Sequence, residues 1–277
     1  MHTAEDRDNF GTGVFPTPDP VISSAIQQRY PRAAKYPLSW MLANEMGPNV
    51  IWLAEELSQY LPLTPGMQIL DLGCGRAASS IFFAKEFGVQ VWANDLWIKP
   101  GDNLARIREA GLADRIFPVH AEAHALPYAP EFFDAILALD SYHYFGTDDL
   151  YLAYLARFLK PGGWLGIVVP GLVQDFDEPP EHLTRRQASG AVFWQDDCWS
   201  FHTPTWWRRH WSHHSGLNVV HCELIPDGWR HWLEWEELRN GRGHTGFPSE
   251  AEALRADAGQ TIDFVCAVAR KPAPSGV

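Results

Sequence analysis

The chain predicts an α/β fold built on a seven-stranded sheet. Three observations predict it: β-type apolar runs alternate with helical periodicity between residues 67 and 169, a glycine turn joins the first strand to the first helix of that alternation, and two more strand-like runs come late in the chain. Residues 1–20 hold Gly11, Gly13, Pro16, Pro18 and Pro20, too dense a punctuation for regular structure, and read as an arm. Over 21–61 the pattern turns helical, with Val50, Ile51, Leu53, Ala54, Leu57 and Leu61 on the face of a helix that packs on the sheet. The segment from Tyr30 to Trp40 is expected to fold over a ligand or to pack beside the sheet.

The first strand is expected over 67–72 and its helix over 77–87, stopped by Gly88. Strands over 89–94, 116–120 and 133–139 follow, with a helix over 103–110 that ends at Gly111. A helix over 148–159 then meets Lys160-Pro161-Gly162-Gly163, read as a break before the strand 164–169. Beyond Pro170 the alternation is lost for about forty residues rich in aromatics, His and acids, which read as an inserted cap. A helix over 203–214, strands over 219–225 and 261–269, and a helix over 229–238 complete the pattern, before a loose tail from Lys271.

The most informative run is Ile69-Leu70-Asp71-Leu72-Gly73-Cys74-Gly75-Arg76-Ala77, which joins a strand to a helix through an acid and two spaced glycines. Glycines let the backbone turn sharply and lie against a ligand, while the next helix directs free N–H groups into the same space. Valine at Gly73 is expected to block that ligand with the fold largely intact. A carboxylate at Asp71 repels a pyrophosphate and pairs with an ammonium such as the aminoacyl end of S-adenosylmethionine. The spacing Gly73-x-Gly75-x-x-Ala78 also fits a loose dinucleotide fingerprint, so a nicotinamide dehydrogenase stays open on the glycines alone.

Over roughly residues 64–170 the sequence resembles the Rossmann-like (class I) S-adenosylmethionine-dependent methyltransferases, whose first motif is an acid, any residue, then Gly-x-Gly. The resemblance implies a single Rossmann-like domain whose sheet is mostly parallel with an antiparallel final strand, and S-adenosylmethionine as cofactor. The expected organisation is an arm and helices over 1–62, a cofactor-binding core over 63–172, a cap insertion over 173–216, and the final strands and helix over 217–277.

Cofactor-binding candidates are Asp71, Gly73, Cys74 and Gly75 in the turn, together with Asp95, twenty residues beyond Gly75, where a carboxylate accepts both ribose hydroxyls. The resemblance adds Glu122 and Ala123 around the adenine ring, with Leu96 and Trp97 against its faces. Asp140, Tyr142 and His143 end the fourth strand at the carboxyl edge of the sheet, where open α/β sheets bind ligands, so Asp140 also counts among the cofactor contacts. Methyl transfer from a sulfonium needs mainly positioning, with a base required when the acceptor arrives protonated; His143 or Asp140 is the expected base.

Eight of the thirteen tryptophans fall in the cap and the helix after it, near Asp196, Asp197 and Glu234. An amine or onium acceptor held on aromatic faces is one reading of this density; an aromatic core under a lid is the other. His210, His213 and His214 have helical spacing but match no definite metal template, so no metal is assigned.

Composition bounds the function further. A net charge of −12 without a Lys/Arg stripe opposes a nucleic-acid partner. No apolar run reaches the roughly 18 residues of a membrane span, and residues 1–9 are polar, so a cytoplasmic protein with no membrane partner is expected. The four cysteines are scattered and read as reduced thiols. The expected activity is methyl transfer from S-adenosylmethionine to N, O or S of a small-molecule acceptor. The alternatives are a cyclopropane-synthase-like enzyme using the same cofactor and a non-catalytic S-adenosylmethionine or S-adenosylhomocysteine binding protein.

Overall fold

The computed structural model describes residues 21–213, 216–243 and 248–273. The arm read over 1–20, the last four residues and His214 lie outside the described residues. The helical stretch after residue 20 is broken into α1 (Ser24–Arg29), a 3-10 turn at Ala33–Lys35, α2 (Leu38–Ala43) and α3 (Val50–Ser58). Asn49 caps α3 by accepting from the Ile51 and Trp52 N–H groups, at 3.0 and 3.3 Å. α3 is buried along Ile51 to Ser58, including two acids that hold the segment before it. Glu55 accepts from the Arg32 and Ala33 N–H groups, and Glu56 pairs with Arg29 at 2.8 Å. The Tyr30–Trp40 segment thereby packs beside the sheet, with Tyr30, Ala33 and Tyr36 in the core.

The expected alternation follows as β1 (Gln68–Leu72), α4 (Ala78–Phe87), β2 (Gln90–Asp95), α5 (Pro100–Glu109), β3 (Ile116–His120), β4 (Phe133–Leu139), α6 (Tyr151–Leu155) and β5 (Leu159–Leu172). α5 starts earlier than the sequence suggested because Pro100 takes the first helical position, where its missing N–H costs nothing. The helix expected over 148–159 is only five residues of α6 followed by a 3-10 turn, Ala156–Phe158. The Pro161-Gly162-Gly163 break is instead a bulge inside β5: pairing with β4 jumps from Phe133↔Leu159 to Ala135↔Trp164. The Gly162 N–H donates to the Lys271 carbonyl and the Lys271 N–H to the Gly163 carbonyl, so the ladder continues through the bulge.

The chain then forms α7 (Glu181–Thr184), α8 (Pro204–His213), β6 (Asn218–Leu224), α9 (Gly228–Gly241), α10 (Ala251–Asp257) and β7 (Ile262–Arg270). The sheet order is β3-β2-β1-β4-β5-β7-β6. β1 to β5 pair in parallel, and β7 runs antiparallel to both β5 and β6. The strand order reverses at β1, which lies between β2 and β4 and so opens a crevice beyond the carboxyl ends of β1 and β4.

Two apolar layers cover the sheet. One holds α3 and α4 with Trp194, Trp232 and Trp235; the other holds Tyr142, Tyr151, Trp207 and Trp211. Trp207, Trp211 and Trp235 are fully buried. The tryptophan-rich region is therefore chiefly a core, the second of its two readings. Among the described residues, no helix is long and apolar enough to cross a membrane.

Candidate active site

β1 delivers its chain to the crevice at Gly73 and Gly75, both with positive φ, 76° and 52°. The Gly73 and Cys74 N–H groups donate to the Asn94 carbonyl of β2 at 2.8 and 3.1 Å, which draws the turn across the end of the next strand. A Cβ on Gly73 would sit 2.5 Å from the Ser141 Cβ, so the turn passes hard against the segment after β4. Ser141 is itself fixed, its hydroxyl donating to the Leu72 carbonyl at 2.7 Å.

Asp71 lies beneath this turn. Its Oδ2 accepts from the Ser79 and Ser80 hydroxyls of α4, each at 2.6 Å, while its buried Oδ1 has no partner. Burial pushes its pKa up to about 6 against the two hydroxyls that favour the anion. The expectation that this carboxylate lines the ligand space is corrected: it braces the turn from behind.

Asp95 ends β2 and is almost buried. Its Oδ2 accepts from the Gly75 N–H at 2.8 Å, and its Oδ1 from the Trp97 and Ile98 N–H groups at 2.7 and 2.8 Å. Three of roughly four acceptor positions on the carboxylate are thus used by backbone. Asp95 locks the glycine turn to the loop after β2 and keeps one acceptor position towards the crevice.

A cavity of about 320 Å³ fills the crevice. Glu122 and Ala123 after β3, Asp95 to Trp97 after β2, Gly73 to Arg76 after β1, and Asp140 and Ser141 after β4 line it in the order of the strands. Cys74 is buried, with a thiol held well above its ordinary pKa by burial. Glu122 is exposed and lies 3.5 Å from the His124 ring.

Asp140 turns at the end of β4 with φ 53° and lines the cavity. No hydrogen bond or ion pair reaches its carboxylate among the described residues, and the Gly47 backbone lies so close that a Cβ there would be 2.7 Å from Oδ2. Burial, with Asp197 adding repulsion, pushes its pKa up to about 8.

Its two expected companions are elsewhere. Tyr142 is fully buried and packs against Phe145, Tyr151, Trp207 and Trp211; the turn that follows it is so tight that Gly146 has no room for a Cβ. His143 is 1% exposed, lies against the Tyr144 and Phe201 rings, and neither residue lines the cavity. Burial lowers the His143 pKa to about 3, so its imidazole is neutral across the physiological range. Both catalytic expectations are corrected by the 3-10 turn Tyr142–Tyr144, which sends these side chains inward and leaves Tyr144 on the cavity.

A folded state that refuses a proton the unfolded chain accepts loses stability as pH falls between about 6.5 and 3. His143→Leu is therefore expected to flatten that acid arm of the stability curve and to keep turnover within about threefold, checked by urea midpoints from pH 7 to pH 4 and a rate measurement.

The sequence reading missed the wall formed by Asn44, Met46 and Pro48 between α2 and α3. This strap is tied down from three sides: the Trp235 indole N–H donates to the Gly47 carbonyl at 2.9 Å, Arg76 donates to the Ala43 carbonyl at 3.0 Å, and Arg239 pairs with Glu45 at 3.4 Å. The Gly47-Pro48 turn between two helical patterns is the one local signal for it. Of the histidines noted for metal, His210 contacts the Gly146 carbonyl and His213 the Arg209 carbonyl, while His214 lies outside the described residues. Among the described residues, no three His, Cys, Asp or Glu side chains form a metal-binding set.

Residues 69–163 match the family model described as a methyltransferase domain. Those residues carry a methyltransferase domain. Methyltransferase GfsG of Streptomyces halstedii is 33% identical over 135 residues, 44% of this chain and 46% of that one. The 27-O-demethylrifamycin SV methyltransferase of Amycolatopsis mediterranei is 33% identical over 116 residues, 42% of this chain and 43% of that one. The chain thus spans less than half the length of these relatives. Among solved structures, the geranyl diphosphate C-methyltransferase of Streptomyces coelicolor A3(2) superposes with a TM-score of 0.62 at 19% identity, covering 79% of this chain and 78% of that one. The [4+2]-cyclase SpnF gives 0.62 at 18% identity, covering 83% and 84%. These likenesses establish the Rossmann-like fold of the methyltransferase domain. Its matched core runs from β1 to the bulge in β5 and contains every cavity wall except the strap and Val50 of α3.

Proposed function

We propose that the chain transfers the methyl group of S-adenosylmethionine to a nucleophilic N, O or S atom of a small-molecule acceptor. The observation that carries this reading is a single cavity bounded at one end by a glycine turn locked to an acid and at the other by an unpartnered carboxyl group. The residues fit the cofactor: Gly73 and Gly75 leave backbone bare on the cavity wall, and Asp95 keeps one acceptor position. Gly73 to Gly75 would hold the aminoacyl end, Asp95 the ribose, and Leu96, Glu122 and Ala123 the adenine. When bound, S-adenosylmethionine supplies a methyl group already activated on a sulfonium.

The protein's own part is positioning and one proton. Asp140 is the carboxyl on the acceptor side, and its raised pKa suits a group that takes a proton from an acceptor near neutral pH. A cationic acceptor, an amine or onium, is supported by that partnerless carboxyl. Arg76, also on the wall, spends one donor on the Ala43 carbonyl, and His124 lies beside Glu122. The relatives' names widen the acceptor atom beyond N, O and S, since they include a botryococcene and a sterol C-methyltransferase.

The test is release of S-adenosylhomocysteine from S-adenosylmethionine with a panel of acceptors, preceded by thermal shifts with both adenosyl compounds and NAD. Stabilisation by NAD alone would overturn the cofactor assignment; binding without turnover on any acceptor would favour a non-catalytic or different reaction, as the fold of the [4+2]-cyclase allows. Asp95→Asn is expected to weaken S-adenosylhomocysteine binding by about 1.5–3 kcal/mol, measured by calorimetry, because the amide cannot accept all three backbone N–H groups and also the ligand.

A further inference from the structure

The cavity has two unlike rims. On the side of β3 the rim is polar, formed by Glu122 and His124 in contact with each other. On the side of β2 and β4 it is apolar and wet: Leu96 is 49% exposed, Trp97 72% and Tyr144 52%. Trp97 and Tyr144 meet with ring centroids 6.2 Å apart, so two loops from different strands converge on one aromatic ledge. Isolated exposed apolar side chains are ordinary, but adjacent ones at the mouth of a cavity mark a surface that something covers.

The size of the cavity decides what covers it. About 320 Å³ stands at the lower end of small-molecule sites, enough for one nucleoside-sized ligand and little more. An acceptor that comes second must leave its bulk at the mouth while its reacting atom reaches in towards Asp140. We infer that Trp97 and Tyr144 form a docking ledge for the apolar body of the acceptor, which is an amphiphile with a hydrocarbon or aromatic body larger than the cavity and a single nucleophilic group at its tip. The inference rests on the transfer reading above and names its substrate class. A small, fully polar acceptor would leave both side chains in water in the ternary complex. An anionic body would meet Glu122 and Asp140, with Arg76 as the one arginine or lysine on the cavity wall among the described residues.

A series of unbranched alkylamines from ethylamine to octylamine, titrated with and without saturating S-adenosylhomocysteine, tests this. Affinity is expected to rise by roughly fourfold per added methylene until the ledge is covered. Tyr144→Ala, at a half-exposed position where the fold tolerates truncation, is expected to reduce that dependence to less than twofold per methylene and to change S-adenosylhomocysteine affinity by less than about threefold. A flat series with tight S-adenosylhomocysteine binding would overturn the ledge alone. An undiminished series in Tyr144→Ala would do so too, as would parallel loss of amine and S-adenosylhomocysteine binding, which assigns Tyr144 to the cofactor. A steep series in a protein that binds no S-adenosylhomocysteine would keep the ledge and overturn the transfer reading.

Discussion

Gly73→Val is expected to abolish measurable cofactor binding, a loss of more than about 100-fold, and to lower stability by about 2–5 kcal/mol. The two effects have separate causes. Gly73 has φ 76°, a region that costs a side chain roughly 1–2 kcal/mol and a β-branched one more. Its Cβ would also stand 2.5 Å from the Ser141 Cβ and 2.6 Å from Oγ, so the turn must lift away from β4, an overpacking cost of about 1–3 kcal/mol. The sequence reading had the valine entering the ligand space with the fold largely intact; the structure directs it first into Ser141. The variant therefore displaces the turn as well as filling its lip. Urea unfolding gives the stability, and titration with S-adenosylhomocysteine gives the affinity. Gly73→Ala combined with Ser141→Gly is expected to recover at least about 1 kcal/mol relative to the sum of the single changes, since the clash is shared. Unaltered affinity in Gly73→Val would show that no ligand approaches this turn.

What the sequence revealed and what it hid divide along a physical line. The seven strands, the glycine turn and the residues immediately after β1, β2, β3 and β4 were legible, because a strand fixes where its end lies and which residue stands there. The break at Pro161-Gly162-Gly163 was not, because a bulge and a chain terminator use the same residues, and only pairing with residue 271 distinguishes them. His143 looked catalytic beside Asp140, yet a single 3-10 turn rotates it inward and brings Tyr144 to the cavity; side-chain direction in so short a turn has no periodicity to betray it. The strap at residues 44–48 was hidden for another reason. Its place over the glycine turn depends on Trp235 and Arg239 of α9, nearly two hundred residues away in sequence, with the Arg239 guanidinium also held by Glu236 one turn before it.

Asp140→Asn is expected to lower turnover by about 10²–10⁴-fold on a protonated amine acceptor, the range for loss of a proton acceptor, with S-adenosylhomocysteine affinity little changed. It is also expected to stabilise the protein at pH 8. The carboxyl titrates near 3.8 in the unfolded chain and is raised to about 8 in the fold by burial and by Asp197. Between those values the folded state binds more protons than the unfolded one, so the stability that Asp140 allows is complete below about pH 3.8 and is lost as pH rises to about 8. Asparagine keeps the shape without the charge and removes that loss, a gain of roughly 1–3 kcal/mol at pH 8 that fades towards pH 4. Glu250, likewise raised to about 8 and repelled by Asp140, shares the same face and is relieved by the same change. Chemical denaturation of both proteins at pH 5, 6.5 and 8 resolves the stability arm, and initial rates over the same range resolve the chemical one. A variant that is more stable but equally active would place the proton elsewhere and leave Asp140 as a contact for the acceptor's charge. A variant that is less stable at pH 8 would mean the carboxylate is satisfied in the fold, contrary to the partnerless site beside Gly47. Higher stability with lost turnover is the pattern of a group held unsatisfied by the fold so that a substrate can satisfy it.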